Sequence, residues 1–81
     1  MILDDLHGAC LKYIEDTGFV PLIKLNLDAE IEILKNAESA VINEMVNEEK
    51  IYGIPYITVF GQEENFLLKD QLIEGNDNDK S

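Results

Sequence analysis

Phe19-Val-Pro-Leu-Ile-Lys-Leu-Asn-Leu-Asp-Ala-Glu-Ile-Glu-Ile-Leu-Lys35 holds one plain element followed by one that reads two ways, and the architecture turns on it. The first half is a strand. Ile23, Leu25 and Leu27 alternate with Lys24, Asn26 and Asp28, which puts the two sets on opposite faces. Pro21 lies near the start, where a missing backbone donor is tolerated. In the second half, Glu30-Ile-Glu-Ile-Leu34 also alternates, and this favours a short second strand within residues 28–35, with a helix after it. The competing reading makes Asp28 the cap of one long helix in which Ile31, Leu34, Ala37, Val41 and Met45 share a face.

On the N-terminal side, Leu3, Leu6, Cys10 and Tyr13/Ile14 recur at helical spacing, which predicts a helix over about residues 3–17. Asp4 and Asp5 suit its first turn and Gly18 its end. On the C-terminal side, residues 37–49 are helical on either reading of the segment before them. Asn36 is a fair N-cap, and Ala37, Ala40/Val41 and Met45 form the buried stripe. Tyr52-Gly53-Ile54-Pro55 then leads into the strand Tyr56-Ile-Thr-Val-Phe60. Gly61-Gln-Glu-Glu-Asn65 reads as a hairpin loop and Phe66-Leu-Leu68 as the returning strand. Lys69 to Glu74 is a short return or a last helical turn. The expected fold is a single small α+β domain over residues 1–75, ordered helix–strand(s)–helix–β-hairpin. Residues 76–81 have nothing apolar to bury and are expected to be a disordered tail.

With 81 residues, of which 46% are hydrophobic and 28% charged, the chain can fold but builds only a small core. Deep pockets are hard to make at this size, and a homodimer is a natural way to cover leftover apolar surface. Seventeen acids face six lysines and no arginine, a formal charge of -11. Arginine is the preferred fork for phosphate, so direct binding of DNA or RNA is excluded on charge grounds, and an anionic membrane surface is repelled likewise. The expected partners are basic. A single cysteine permits no intrachain disulfide and suits a reducing cytoplasm. Met-Ile-Leu-Asp-Asp5 has no basic segment followed by an apolar one, so a signal peptide is not expected.

The residues offer little chemistry. His7 and Cys10 sit three apart on one helical face, as a base and nucleophile can, but no orienting third group or oxyanion loop accompanies them. Buried packing is the simpler role for Cys10, and the chain reads as no enzyme. Asp77-Asn-Asp79 is too short for a calcium loop, and Glu30/Glu32 and Glu48/Glu49 read as solvated faces, so no metal or other cofactor is expected. The glycines at 8, 18, 53, 61 and 75 are isolated, which argues against the common nucleotide-binding loops.

Gly53-Ile-Pro55, followed by Tyr-Ile-Thr-Val-Phe and Gly61, resembles the segment around the cis-proline of thioredoxins, and Ile23-Lys-Leu-Asn-Leu-Asp28 resembles the strand before it. A strand ahead of the first helix and a CxxC pair are missing, so the resemblance implies a protein-binding domain without thiol–disulfide exchange. The helix-then-strand opening and acidic tail are loosely similar to the ClpXP adaptor that delivers tagged substrates. In size, charge, absence of arginine and spread of acids, the chain resembles the small acidic DNA-mimic inhibitors, many of them encoded by phages. That resemblance is compositional and carries no motif. It implies a cytoplasmic inhibitor, acting in a host cell if phage-encoded, that occupies the DNA site of a basic protein such as a nucleoid protein of the HU type. Duplex DNA carries one negative charge per ~1.7 Å of axis, and a surface of carboxylates can compete for the same lysines and arginines. The candidate binding residues are two rows: Glu38, Glu44, Glu48 and Glu49 on the helix over 37–49, and Glu30, Glu32, Glu63 and Glu64. Asp4, Asp5, Glu15 and Asp16 flank the first helix.

Overall fold

The computed structural model describes residues 1–71; the expected boundary at 75 and the tail over 76–81 lie outside them. Helix α1, Ile2–Thr17, buries Leu3, Leu6 and Cys10 and stops where Gly18 turns left-handed (φ 78), its N–H donating to the Ile14 carbonyl at 2.7 Å. Strand β1, Pro21–Leu25, points Pro21, Ile23 and Leu25 into the core and leaves Leu22 and Lys24 half-buried on the other face.

The next element is helix α2, Leu27–Asn36, so the second strand expected within residues 28–35 is corrected to a helix. Asn26 sets the outcome. Its backbone is extended, and its side-chain oxygen accepts the Ala29 N–H at 2.8 Å, capping a first turn that carries Asp28 and Glu30. The alternation was misleading because its two isoleucines part company: Ile33 is 0% exposed beside Ala29, whereas Ile31 is 43% exposed. Nor does one long helix form. Ala37 is extended (ψ 160), and Asn36, expected to cap the following helix, ends α2 instead, with its side chain on the Glu32 carbonyl. Helix α3 is Ser39–Glu48, with Glu38 as N-cap, and it buries Val41 and Met45.

Strands β2, Lys50–Ile51, and β3, Ile54–Thr58, form a tight hairpin. Its two loop residues, Tyr52 and Gly53, have φ of 53 and 77, the doubly positive geometry that matches strand twist. Strand β4, Phe66–Asp70, completes a four-stranded sheet in the order β2-β3-β1-β4. β1 runs parallel to β3 and antiparallel to β4, so β1 lies between the two strands expected to pair as the last hairpin. Residues 59–65 arch over the end of β1 rather than closing a hairpin. Val59 donates to Leu25, Asn26 donates to Asn65, and the Gln62 side chain donates to the Lys24 carbonyl.

Helices α1, α2 and α3 lie on one face of this sheet. A single core joins Leu3, Leu6 and Cys10 of α1, Ile23 and Leu25 of β1, Ala29 and Ile33 of α2, Val41 and Met45 of α3, and Ile51 and Ile54 of the first hairpin. Among the described residues, no second layer lies on the other face. The domain is α+β, as the sequence implies, and measures 37 × 28 × 25 Å.

Candidate functional site

The layering sorts the charges. Acidic positions fall on the helices because the apolar stripe of each faces the sheet and leaves the rest in water. α1 carries Asp4, Asp5, Glu15 and Asp16; α2 carries Asp28, Glu30 and Glu32; α3 and its caps carry Glu38, Glu44, Glu48 and Glu49. Against these eleven carboxylates the helices hold only Lys12 and Lys35, a side-chain charge of −9. The sheet and its connections hold Glu63, Glu64 and Asp70 against Lys24, Lys50 and Lys69, a charge of zero. One layer of the domain thus carries the whole net charge of the described residues.

The two expected rows are regrouped. Glu44 is not a free surface acid: its carboxylate accepts the backbone N–H groups of Tyr52 (2.8 Å) and Gly53 (2.7 Å), clasping the β2–β3 turn to α3. The His7 ring packs on the Tyr52 ring, with centroids 4.3 Å apart. Glu38 and Glu44 share, with Asp4, an open groove of about 450 Å³ between the starts of α1 and α3. Glu30 and Glu49 instead approach Tyr56. Burial, then the charges of Glu30 and Glu49, and finally a hydrogen bond to the Glu30 carboxylate push the Tyr56 phenol above its ordinary range. Glu63 and Glu64 lie on the arch; the Glu63 carbonyl accepts from the Asn26 side chain, while both Glu side chains are exposed. Glu32, Glu38, Glu48 and Glu49 are exposed, and no hydrogen bond holds their carboxylates.

Cys10 is 1% exposed and burial pushes its thiol up, the reverse of what a nucleophile needs. Because the protonated thiol is favoured, a disulfide reagent at about pH 8 is expected to modify Cys10 far more slowly than a free thiol. Modification should accelerate only when denaturant unfolds the domain. Fast modification of the native protein would place Cys10 outside the core. Among the described residues no group of three or more His, Cys, Asp or Glu side chains is arranged to hold a metal ion.

The sequence reading missed the bare sheet face, which carries Leu22, Lys24, Lys50, Pro55, Ile57, Leu67 and Lys69. Half of its signal was visible, since Lys24 and Leu22 alternate against Ile23 and Leu25. Bringing Lys50 and Lys69 onto the same face requires the register, which no local pattern supplies. The segment resembling a thioredoxin proline loop sits elsewhere than that resemblance implies. Gly53 is in a tight turn, Pro55 is on β3 opposite Lys50, and no described peptide bond is cis. No helix among the described residues is long and apolar enough to cross a membrane. Compared with family models, with curated proteins and with solved structures, the chain matches none.

Proposed function

We propose that this protein is a non-enzymatic acidic inhibitor that occupies the DNA site of a basic DNA-binding protein, for example a nucleoid protein of the HU type. The observation that carries the reading is the sorting of charge: −9 on the helical layer and zero on the sheet. A carboxylate layer held on three packed helices needs little ordering when a basic partner arrives, and its field speeds encounter.

The test is competition for a labelled duplex bound to an HU-type protein. The acidic protein should displace the duplex, and its own affinity for that protein should fall steeply as salt rises. Reversal of Glu32, Glu38 and Glu48 to Lys should weaken binding at least about tenfold, mainly through the association rate. Glu44 is left out of the set, because Lys there would release the β2–β3 turn as well as change the charge. Reversal of Glu74, Asp77 and Asp79 makes the same change in net charge outside the described residues. Equal loss in both variants would mean a diffuse field rather than a defined surface, and a ternary complex with DNA would end the mimicry reading.

A further inference from the structure

A second surface lies opposite the carboxylates, and nothing about it depends on DNA mimicry. The pair β1/β3 is parallel, and parallel strands are ordinarily covered on both faces. Among the described residues, helices cover one face only. Register places Lys50 beside Pro55 and Leu22 beside Lys69, and Leu22 is next to Pro55 one position before the paired Ile23 and Tyr56. Across the sheet the row therefore reads Lys50, Pro55, Leu22, Lys69. The two outer lysines stand about 14 Å apart, three strand spacings of ~4.8 Å. In the next row Ile57 on β3 and Leu67 on β4 flank Lys24 on β1, so the apolar lane between the outer lysines is Pro55, Ile57 and Leu22, with Lys24 at its end. Among the described residues neither Lys50 nor Lys69 is in an ion pair.

We propose that this face docks an acidic amphipathic helix of a partner protein, laid along β1 and β3 as the missing second layer. A helix with its side chains is ~10–12 Å across, which fits between Lys50 and Lys69. Its apolar stripe meets Leu22, Pro55 and Ile57, and acids on its two flanks meet Lys50 and Lys69. A two-fold pairing of this face with itself would bury lysine against lysine with no strand carboxylate between them, which disfavours a second copy as occupant. The helical layer is about 10 Å behind the sheet, and at physiological salt the screening length is ~8 Å, so its charge reaches this face weakly.

The probe is a helical peptide of about 18 residues with leucines at i, i+4, i+7 spacing and glutamates on both flanks of that stripe. Titrated into the full chain, it should saturably shift the amide NMR signals of residues 22–24, 50, 56–57 and 67–69. The K50E/K69E variant should bind it at least about tenfold more weakly, while K12E/K35E, with the same change in charge on the helices, should lose less than about twofold. Melting temperatures of both variants check that the fold is kept. If K50E/K69E unfolds, the shift map of the unaltered protein decides alone. The proposal is overturned by shifts that map to the helices or do not saturate, by equal losses in the two variants, or by equal binding of a lysine-flanked peptide. A dimer formed through these same residues makes a second copy the occupant and overturns it too.

Discussion

Replacing Asn26 with Leu is expected to destabilise the domain by about 3 kcal/mol, although the new side chain is apolar and similar in size. Asn26 is 8% exposed and serves two elements at once. Its oxygen accepts the Ala29 N–H and caps α2, a contribution of about 0.5–2 kcal/mol. Its amide group donates to the Glu63 carbonyl at 3.3 Å and to the Asn65 side-chain oxygen at 3.4 Å. Leucine fills the space and leaves these groups short of partners, at about 1–3 kcal/mol for a buried polar group. In a domain of this size, ~3 kcal/mol lowers the melting temperature by about 12–24 °C. Two further variants separate the roles. Asn26→Ser keeps a cap but cannot reach the arch. Asn26→Asp keeps the cap and suits the helix dipole, yet sets a carboxylate against the Glu63 carbonyl. Both should fall between the native protein and Asn26→Leu in thermal melts. A melting temperature for Asn26→Leu within about 3 °C of the native value would refute a joint role for this side chain.

The second large effect contrasts two isoleucines on one sheet. Ile23 is fully buried in the central strand, and Ile57, across the β1–β3 pair on the other face, is 43% exposed. Ile23→Ala removes buried methyl groups and leaves a cavity in the core, at a cost of about 2–5 kcal/mol. Ile57→Ala should cost less than about 1 kcal/mol, since its side chain touches water in the native state already. Urea unfolding with an unchanged slope is the measurement, because the midpoint then reports stability directly. Similar costs for the two would mean that the outer face is covered in solution, and the bare sheet face would be wrong.

How far the sequence can be read follows from which signals are local. The α1 stripe of Leu3, Leu6 and Cys10 and the inward pair Ile23 and Leu25 of β1 depend on residues a few positions apart and are legible. Leu27, expected to face inward with them, instead opens α2 and is 42% exposed, and the hairpin closed by Tyr52-Gly53 pairs a two-residue strand too short to carry a pattern. The segment 28–35 is not legible, because alternating Ile and Glu satisfy a strand period while Asn26, two residues outside the segment, decides for a helix. The placement of β1 between β3 and β4 is not legible either, since adjacency in sequence favours a hairpin and the override comes from Asn26 and Gln62 contacting residues nearly forty positions away. The same holds for the acids. Their exposure follows from helical period, but the role of Glu44 in clasping a turn eight residues on appears only in three dimensions.

The arch over β1 has a bearing on synthesis. β1 is made early, at Pro21–Leu25, but one of its two hydrogen-bonding edges waits for Phe66–Asp70. Until that strand leaves the ribosome, Ile23 and Leu25 sit in a strand with an open edge, the kind of template on which chains pair wrongly. Pairings up to 49 residues apart must close the sheet, so folding is expected to be slower than in an all-helical domain of this length. A chain released before Phe66 would retain α1, α2, α3 and most of its core residues, yet would present that edge to its neighbours. Its fate would be aggregation rather than partial activity.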